Sequence, residues 1–249
     1  MRLLLIVAAA AYMGICALLF FFQRSLIYFP QPARNANKLA LPITDAKVLV
    51  TTREREGSPT AVLYFGGNAE DVSLNLPDLS VAFPTSSLYL MHYRGYGGSS
   101  GKPSEEALFS DALALFDEVH KRHPEITVIG RSLGSGVAVY VASHRQLVRR
   151  LVLVTPFYRL AAVAAYHYPF LPVRWLLLDR FNSAEYAPFV TAPTRILAAG
   201  RDEVVPNSST RALRARFKPD LVSYHLIAGA THNSISDSRE YWSLLASSR

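Results

Sequence analysis

A serine between two glycines lies where a run of β-branched residues changes into a helical pattern. The stretch GRSLG at 130–134 has the form G-x-S-x-G and follows the apolar segment 126–129. In a tight strand-to-helix turn, this form lifts the Ser132 hydroxyl above a sheet at a helix N-terminus, where it can act as a nucleophile. Roughly one chain in ten of this length has the pattern by chance. The alternative is therefore a glycine-lined turn with an incidental serine.

The chain also contains a base and an acid in the order that such a serine requires. A neutral hydroxyl is a weak nucleophile at pH 7, so it needs a general base and an acid that orients the base. Asp202 and His232 each follow a short apolar segment. Because parallel strands end at one edge of a sheet, this spacing predicts a triad of Ser132, His232 and Asp202. Glu203 is the alternative acid, and ordinary loop positions are the alternative for Asp202 and His232.

Two backbone N–H groups are predicted to stabilise the oxyanion that attack by the serine would form. One belongs to Leu133, directly after the nucleophile, and the other to the loop GGNAED at 66–71. We predict Asn68 as this second donor and Gly67 as the alternative. Gly67 is also expected to let the main chain approach the substrate closely. A phosphate-binding loop is the competing interpretation, but the glycine patterns of nucleotide sites are missing here.

Composition and spacing exclude several classes of protein. The seven histidines include no H-E-x-x-H pair, and Cys16 is the only cysteine, so we expect no metal, no cofactor and no internal disulfide. The net charge of +7 suits an anionic surface, although the basic residues are scattered. The densest stretch, 211–218, is typical of a solvated helix face, with headgroup or partner binding as the alternative. No nucleic-acid-binding motif occurs, so we expect no nucleic acid partner.

Short apolar segments alternate with helical patterns along most of the chain. The segments are rich in valine, isoleucine and leucine, as buried parallel strands are. This alternation predicts an α/β fold with a doubly wound, mostly parallel sheet. Ser104 is expected to cap the second helix. The predicted strands are 47–53, 61–65, 87–93, 126–129, 151–155, 194–199 and 222–228, and the predicted helices are 69–81, 105–122, 133–143, 208–217 and 236–246.

One long apolar connection, from 156 to 193, interrupts the alternation. It is rich in aromatic residues, beginning with Phe157 and Tyr158. Connections longer than about 12–15 residues are uncommon unless they have a function. We predict a short helical cap that lines an apolar substrate groove, with Phe157 and Tyr158 as substrate-binding residues. Simple packing against the sheet is a compatible alternative.

The N-terminal segment has the composition of a membrane anchor. Residues 3–22 are uncharged and almost wholly apolar, and a helix of that length spans about 30 Å, the thickness of the hydrocarbon layer. We therefore predict an uncleaved transmembrane signal anchor over 1–24 and a single-pass membrane location. A cleaved signal peptide and a buried core helix are the alternatives. Basic residues flank the segment on both sides, so its orientation is not predicted.

A linker and one domain are predicted to follow the anchor. The linker, over 25–45, contains three prolines together with Asn35 and Asn37, which disfavour regular structure. The domain covers 46–249, and the segment 156–193 is a cap-like insertion in it. No oligomeric state is predicted.

The motifs and their order resemble the α/β-hydrolase superfamily, and within it a small membrane-anchored branch that includes serine-peptidase-like hydrolases and protein depalmitoylating thioesterases. The resemblance implies the α/β-hydrolase fold, with Ser132, Asp202 and His232 as the triad and with Leu133 and Asn68 as oxyanion donors. The matching stretches are QRSLIYFP, YFGGNAEDV, YRGYGGSSGKPSE, GRSLGSGVA, LVTPF, AAGRDEVVP and AGATHNSI, which lie in this order within 23–235.

Three features depart from the pattern of that branch. The superfamily usually has a histidine where Gly66 stands before the Gly-Asn of the oxyanion loop. The stretch REREGSP at 53–59 replaces a longer pair of strands, so a reduced sheet edge is expected. Depalmitoylating members carry an N-terminal cysteine cluster for lipidation, whereas this chain has an apolar segment there. Their substrate is therefore not carried over.

The predicted function is that of a membrane-anchored serine hydrolase. It would cleave an ester or thioester of an acyl or lipid-like substrate through an acyl-enzyme. An aminopeptidase, an amidase or an acyltransferase would use the same triad, and a non-catalytic, membrane-tethered interaction protein would need none.

Overall fold

A mostly parallel sheet runs through the centre of the protein. The computed structural model describes residues 1–34, 38–43 and 45–247. The strands within them are β1 (Lys38–Leu41), β2 (Val48–Arg53), β3 (Thr60–Phe65), β4 (Ser87–Met91), β5 (Glu125–Arg131), β6 (Val148–Val154), β7 (Thr194–Ala199) and β8 (Val222–Ile227). They lie in the order β1-β2-β4-β3-β5-β6-β7-β8. Strands β3 to β8 run parallel to one another, while β1 pairs antiparallel with β2 and β2 with β4.

Helices cover both faces of this sheet. On β3, Ala61, Leu63 and Phe65 join one apolar core cluster, and the alternating Val62 and Tyr64 join the other. This is the doubly wound α/β architecture that the alternating pattern predicts. The helices of the described residues are α1 (Arg2–Ile27), α2 (Leu76–Ala82), α3 (Glu105–His120), α4 (Leu133–His144), α5 (Leu160–His167), α6 (Val173–Leu176), α7 (Ser183–Tyr186), α8 (Asn207–Arg214) and α9 (Arg239–Ala246).

The start of α3 follows the predicted chemistry, whereas the helix predicted over 69–81 differs. The Ser104 hydroxyl accepts the Ala107 N–H at 3.2 Å and caps α3. Between 69 and 81, a 3-10 helix over Val72–Asn75 precedes α2 instead of one continuous helix. A proline in the first turn of α2 explains the break, since proline favours the start of a helix and disrupts its interior.

The sheet edge is the main correction to the sequence-based expectations. Strand β1 lies within 25–45, where no regular structure was expected, and pairs with β2 along its whole length. With β1 in place the described sheet has eight strands, so the expected reduction of the edge is wrong. Asn35 and Asn37, which entered the linker prediction, lie outside the described residues. The domain limits themselves stay predictions.

The connection between β6 and β7 forms a small helical cap. It contains α5, α6 and α7, and its α5 and α6 pack together at the end of α1. Helix α1 continues to Ile27, three residues beyond the predicted end of the anchor. Its last turn contacts the cap, because the Gln23 side chain accepts the Leu178 N–H at 2.7 Å and donates to the Leu176 carbonyl at 3.0 Å.

Candidate active site

The turn between β5 and α4 holds Ser132 in a strained backbone conformation. Its φ of 48° and ψ of −116° lie in a region that side-chain-bearing residues rarely adopt. Glycines allow this approach of strand and helix, because a Cβ on Gly130 would lie 2.4 Å from the Gly134 carbonyl oxygen. A Cβ on Gly134 would lie 2.1 Å from the Phe65 carbonyl oxygen. Both positions of the motif therefore require glycine, because any side chain there would clash with the backbone.

The structure brings Ser132, His232 and Asp202 into one hydrogen-bonded line. The Ser132 Oγ lies 2.9 Å from His232 Nε2, and His232 Nδ1 lies 2.9 and 3.0 Å from the two Asp202 oxygens. The histidine and aspartate side chains are 6% and 2% exposed. The Val204 and Val205 N–H groups donate to Asp202 Oδ1 at 3.0 and 2.7 Å, which holds the carboxylate in position.

Glu203, the alternative acid, has a different position. One of its oxygens accepts the backbone N–H of His232 at 3.2 Å, whereas the imidazole contacts Asp202. The Glu203 carboxylate therefore fixes the main chain of the loop that contains His232, here called the histidine loop. The geometry favours Asp202 as the orienting acid.

The loop after β3 lies beside Ser132 and contains both candidate oxyanion donors. A Cβ built on Gly67 would lie 3.5 Å from the Ser132 Cβ, so this part of the main chain faces the nucleophile. The Gly67 N–H donates to Glu70 Oε2 at 2.5 Å and is thereby engaged. Within the described residues, the N–H groups of Asn68 and Leu133 have no hydrogen-bond acceptor. This favours Asn68 over Gly67 as the second donor, next to Leu133.

Glu70, whose side chain is 13% exposed, organises the oxyanion loop through hydrogen bonds that the sequence analysis did not predict. Besides Gly67, its carboxylate accepts the Tyr64 hydroxyl at 2.7 Å and the Asn75 amide at 2.6 Å. Burial raises the pKa of Tyr64 well above its usual value, so this hydroxyl stays a proton donor. Glu70 stands four residues after Gly66 in a loop, a spacing that carries no periodic signal.

Arg131, the variable residue before the nucleophile, contacts two other parts of the site. Its Nη2 donates to the Asn233 carbonyl, next to His232, at 3.3 Å. Its Nη1 lies 3.9 Å from Glu70 Oε2. One guanidinium therefore bridges the histidine loop and the oxyanion loop.

The Asn68 side chain ties the oxyanion loop to the segment that follows α1. Its Oδ1 accepts the Phe29 N–H at 3.0 Å and the Tyr96 hydroxyl at 2.9 Å. The Tyr96 oxygen in turn accepts the Phe29 N–H at 2.8 Å. Burial raises the pKa of Tyr96 to about 12, so the hydroxyl keeps the proton that it donates. Tyr96 belongs to the YRGYG stretch, for which the sequence suggested only a structural role.

Gly66 has a steric explanation as well. A Cβ at this position would lie 2.4 Å from Val72 Cγ1, so the histidine usual in the superfamily does not fit this loop. The Gly66 carbonyl accepts the Tyr93 hydroxyl at 2.8 Å. The Tyr93 hydroxyl therefore stabilises the oxyanion loop through this hydrogen bond.

The two predicted substrate-binding aromatics lie in different environments. Phe157 is 2% exposed and packs in the core near Gly136 of α4, so its side chain supports the helix. This corrects the expectation that Phe157 lines a groove. Tyr158 is half-buried and borders a cavity of about 270 Å³ together with Arg159 and Arg174. In the described residues, no group of three His, Cys, Asp or Glu side chains is arranged to hold a metal ion.

Helix α1 meets the length and composition of a membrane span. It has 26 residues, and within the described structure no part of its most apolar window is buried. Large apolar side chains such as Leu4, Phe21 and Phe22 are exposed to more than half of their surface. Exposed apolar surface of this extent is typical of membrane or protein interaction sites.

Comparison with known proteins places the chain among hydrolases. Residues 82–186 match the profile of the family described as serine aminopeptidase, S33. An uncharacterized protein of Mycobacterium tuberculosis is 37% identical over 93% of this chain and 89% of its own length. The lysophosphatidylserine lipase ABHD12 of Macaca fascicularis is 32% identical over 59% of this chain and 44% of its own.

Solved structures share the architecture. The Pyrococcus furiosus esterase Pf2001 superposes with a TM-score of 0.68, covering 88% of this chain and 97% of the esterase, at 18% sequence identity. This similarity shows the fold: helices on both faces of a mostly parallel sheet.

Proposed function

Since the chain belongs to the α/β-hydrolase superfamily, we propose that it is a serine hydrolase that cleaves an ester or thioester of a lipid-like acyl substrate. One observation carries the proposal: the Ser132 hydroxyl lies 2.9 Å from His232 Nε2, while Nδ1 of the same ring contacts the Asp202 carboxylate. That arrangement activates a serine for attack on a carbonyl carbon.

The first half-reaction forms an acyl-enzyme. His232 removes the proton of Ser132 as the oxygen attacks the carbonyl carbon, and Asp202 stabilises the imidazolium that results. The N–H groups of Leu133 and Asn68 donate to the oxyanion of the tetrahedral intermediate. When the intermediate collapses, the imidazolium passes its proton to the leaving alcohol or thiol.

Water completes the cycle. His232 removes a proton from a water molecule, which attacks the acyl carbonyl, and the second tetrahedral intermediate releases the carboxylic acid and restores Ser132. An acyltransferase would differ only in this half-reaction, with an alcohol or thiol in place of water.

The proposal includes a membrane anchor and an apolar substrate. The length, apolar composition and exposure of α1 support a single membrane span. The sequence similarity to a protein named as a lysophosphatidylserine lipase supports a lipid-like acyl ester. An amide is the second candidate, supported by the match to the serine aminopeptidase family.

The test is active-site labelling of the full chain in membranes with a fluorescent fluorophosphonate. Wild type is expected to label and to hydrolyse p-nitrophenyl butyrate. Ser132→Ala should lose the label and at least about 10³-fold in kcat, because the nucleophile is gone. Ser143→Ala, three turns further along α4, is the matched control and should behave as wild type.

Two outcomes would contradict the proposal. A folded wild type that takes no label would favour a non-catalytic interaction protein, and labelling that persists in Ser132→Ala would place the nucleophile elsewhere. A panel that pairs acyl esters and thioesters with aminoacyl amides of the same chain length decides between the two candidate activities.

A further inference from the structure

A largely aliphatic cavity lies between the end of α1 and the cap. Its volume is about 420 Å³, within the usual range of about 300–1,000 Å³ for small-molecule sites. Gln23 contributes an amide, but both ends of that amide bond the main chain of the cap. The cavity is lined by Leu19, Gln23, Leu26, Ile27, Phe29, Ala164, Tyr168, Leu171, Val173, Leu176 and Leu177.

The helix wall of this cavity is held in place by a buried charge. Asp179 of the cap is 3% exposed, and its carboxylate accepts Arg24 Nε and the Tyr28 hydroxyl, each at 3.0 Å. Burial and the neighbouring carboxylate raise the pKa of Tyr28, so this hydroxyl remains a donor. A buried carboxylate needs such partners. The end of α1 is therefore docked on the cap as a fixed wall.

Both loops of the candidate active site contact the walls of the cavity. Phe29, on the α1 side, donates its N–H to Asn68 of the oxyanion loop at 3.0 Å. On the cap side, His167 donates from Nε2 to the Val204 carbonyl at 2.8 Å, two residues after Asp202. On one side the lining residue Phe29 is thus bonded to the oxyanion loop, and on the other side His167, next to the lining residue Tyr168, is bonded to the loop that contains Asp202.

The cap carries exposed aromatic side chains of the kind found at membrane interfaces. Trp175 and Phe170 of the cap are 86% and 87% exposed, and Tyr168 is 60% exposed. The Tyr12 hydroxyl of α1 donates to the Phe170 carbonyl at 2.8 Å. The cap therefore contacts α1 from Tyr12 to Gln23, which are eleven residues, or about 16 Å of helix, apart. Exposed tryptophan and tyrosine beside a membrane span favour the headgroup region of a bilayer.

We propose that this cavity, the anchor–cap cavity, binds the acyl chain of a lipid that moves into it directly from the bilayer, with its carbonyl at Ser132. This inference rests on the proposed function and adds that the anchor helix is part of the substrate site. An acyl chain fits better than a polar or peptide occupant because the walls are largely aliphatic. The bilayer is the source because one wall of the cavity is the anchor itself.

The first experiment fills the cavity from either side in the full chain. Leu19→Trp and Ala164→Trp should lower the ratio of kcat/KM for p-nitrophenyl palmitate to that for the butyrate by at least about 10-fold, since each buried methylene contributes to binding. The matched control is Leu18→Trp, on the adjacent, exposed position of α1. It should keep the wild-type ratio. Fluorophosphonate labelling identifies the variants that are folded. The test needs only one of the two cavity variants to be folded.

The second experiment locates the chain directly. A hexadecyl fluorophosphonate with a terminal diazirine reacts at Ser132 and, on illumination, should cross-link to the peptide that contains Leu19 or Leu26. Labelling with an unchanged palmitate-to-butyrate ratio and cross-links confined to other segments would overturn the anchor–cap cavity as the acyl site. Absence of labelling and of ester hydrolysis in wild type would instead overturn the proposed function.

Discussion

Replacing Asp202 by asparagine tests the electrostatic core of the proposed mechanism. The substitution keeps the size of the side chain. In the wild type the Val204 and Val205 N–H groups donate to Asp202 Oδ1, and the amide oxygen of asparagine can accept the same two hydrogen bonds. It removes the negative charge that faces His232 Nδ1 at 2.9 and 3.0 Å. The fold should therefore survive while the histidine loses its counter-charge and its enforced tautomer.

The expected loss in kcat follows from the short distance between His232 Nδ1 and the Asp202 carboxylate and from the burial of Asp202. In the transition state His232 is positively charged, and a unit charge about 3 Å away at an effective dielectric constant of about 20 contributes about 5.5 kcal/mol. This energy corresponds to a factor of about 10⁴ in kcat. The 2% exposure of the Asp202 side chain leaves little water to screen it.

Steady-state hydrolysis of p-nitrophenyl butyrate by the detergent-solubilised full chain measures this loss. Glu203→Gln is the matched control: among the described residues its side chain accepts only the His232 backbone N–H, at 3.2 Å, so we expect less than about a 10-fold change in kcat. If Asp202→Asn kept more than a tenth of the wild-type kcat, or if Glu203→Gln were the more damaging change, Asp202 would not be the orienting acid.

Two further predictions concern stability. Gly134→Ala should lower the free energy of unfolding, measured in urea, by about 3 kcal/mol or more, because its Cβ would lie 2.1 Å from the Phe65 carbonyl oxygen. Gly229→Ala is the control: its Cβ would meet no atom within 4 Å, so stability should change little. Equal effects of the two substitutions would contradict this prediction. Burial, and secondly Lys38, lowers the pKa of His92 to about 4. Because the unfolded chain takes up that proton near pH 6.5 and the folded one does not, stability should fall by about 2 kcal/mol between pH 7 and pH 5. His92→Gln should remove that part of the acid sensitivity, and an unchanged pH dependence would refute the assignment.

The sequence alone was sufficient to predict the structure where one short segment determines the backbone conformation. The GRSLG stretch predicts a strand, a sharp turn and a helix, and the residues that must be glycine there are set by contacts within a few ångströms. The proximity of Asp202 and His232 to Ser132 could be predicted because each follows a strand whose carboxyl end lies at the same edge of the sheet as Ser132. Strand β7 has the predicted limits, since its six residues are all buried and apolar side chains dominate them.

The contacts that support the site were not predictable in the same way. Glu70 stabilises the oxyanion loop through Gly67, Tyr64 and Asn75, which share no periodicity with it. The docking of α1 joins Gln23 to Leu178, 155 residues later. Strand β1 is short, and its pairing with β2 decides its conformation more than its own propensity does.

Helix α1, the cap and the oxyanion loop form one connected structure. From the buried Asp179, the chain of contacts passes through Tyr28 to Phe29 and from there to Asn68, beside Gly67 and Ser132. Because α1 is bonded to the cap at both Tyr12 and Gln23, its orientation is coupled to that of the cap. A membrane span that fixes α1 would therefore also fix the direction in which the triad faces. Under the proposed function, α1 would then orient the candidate active site relative to the bilayer in addition to tethering it.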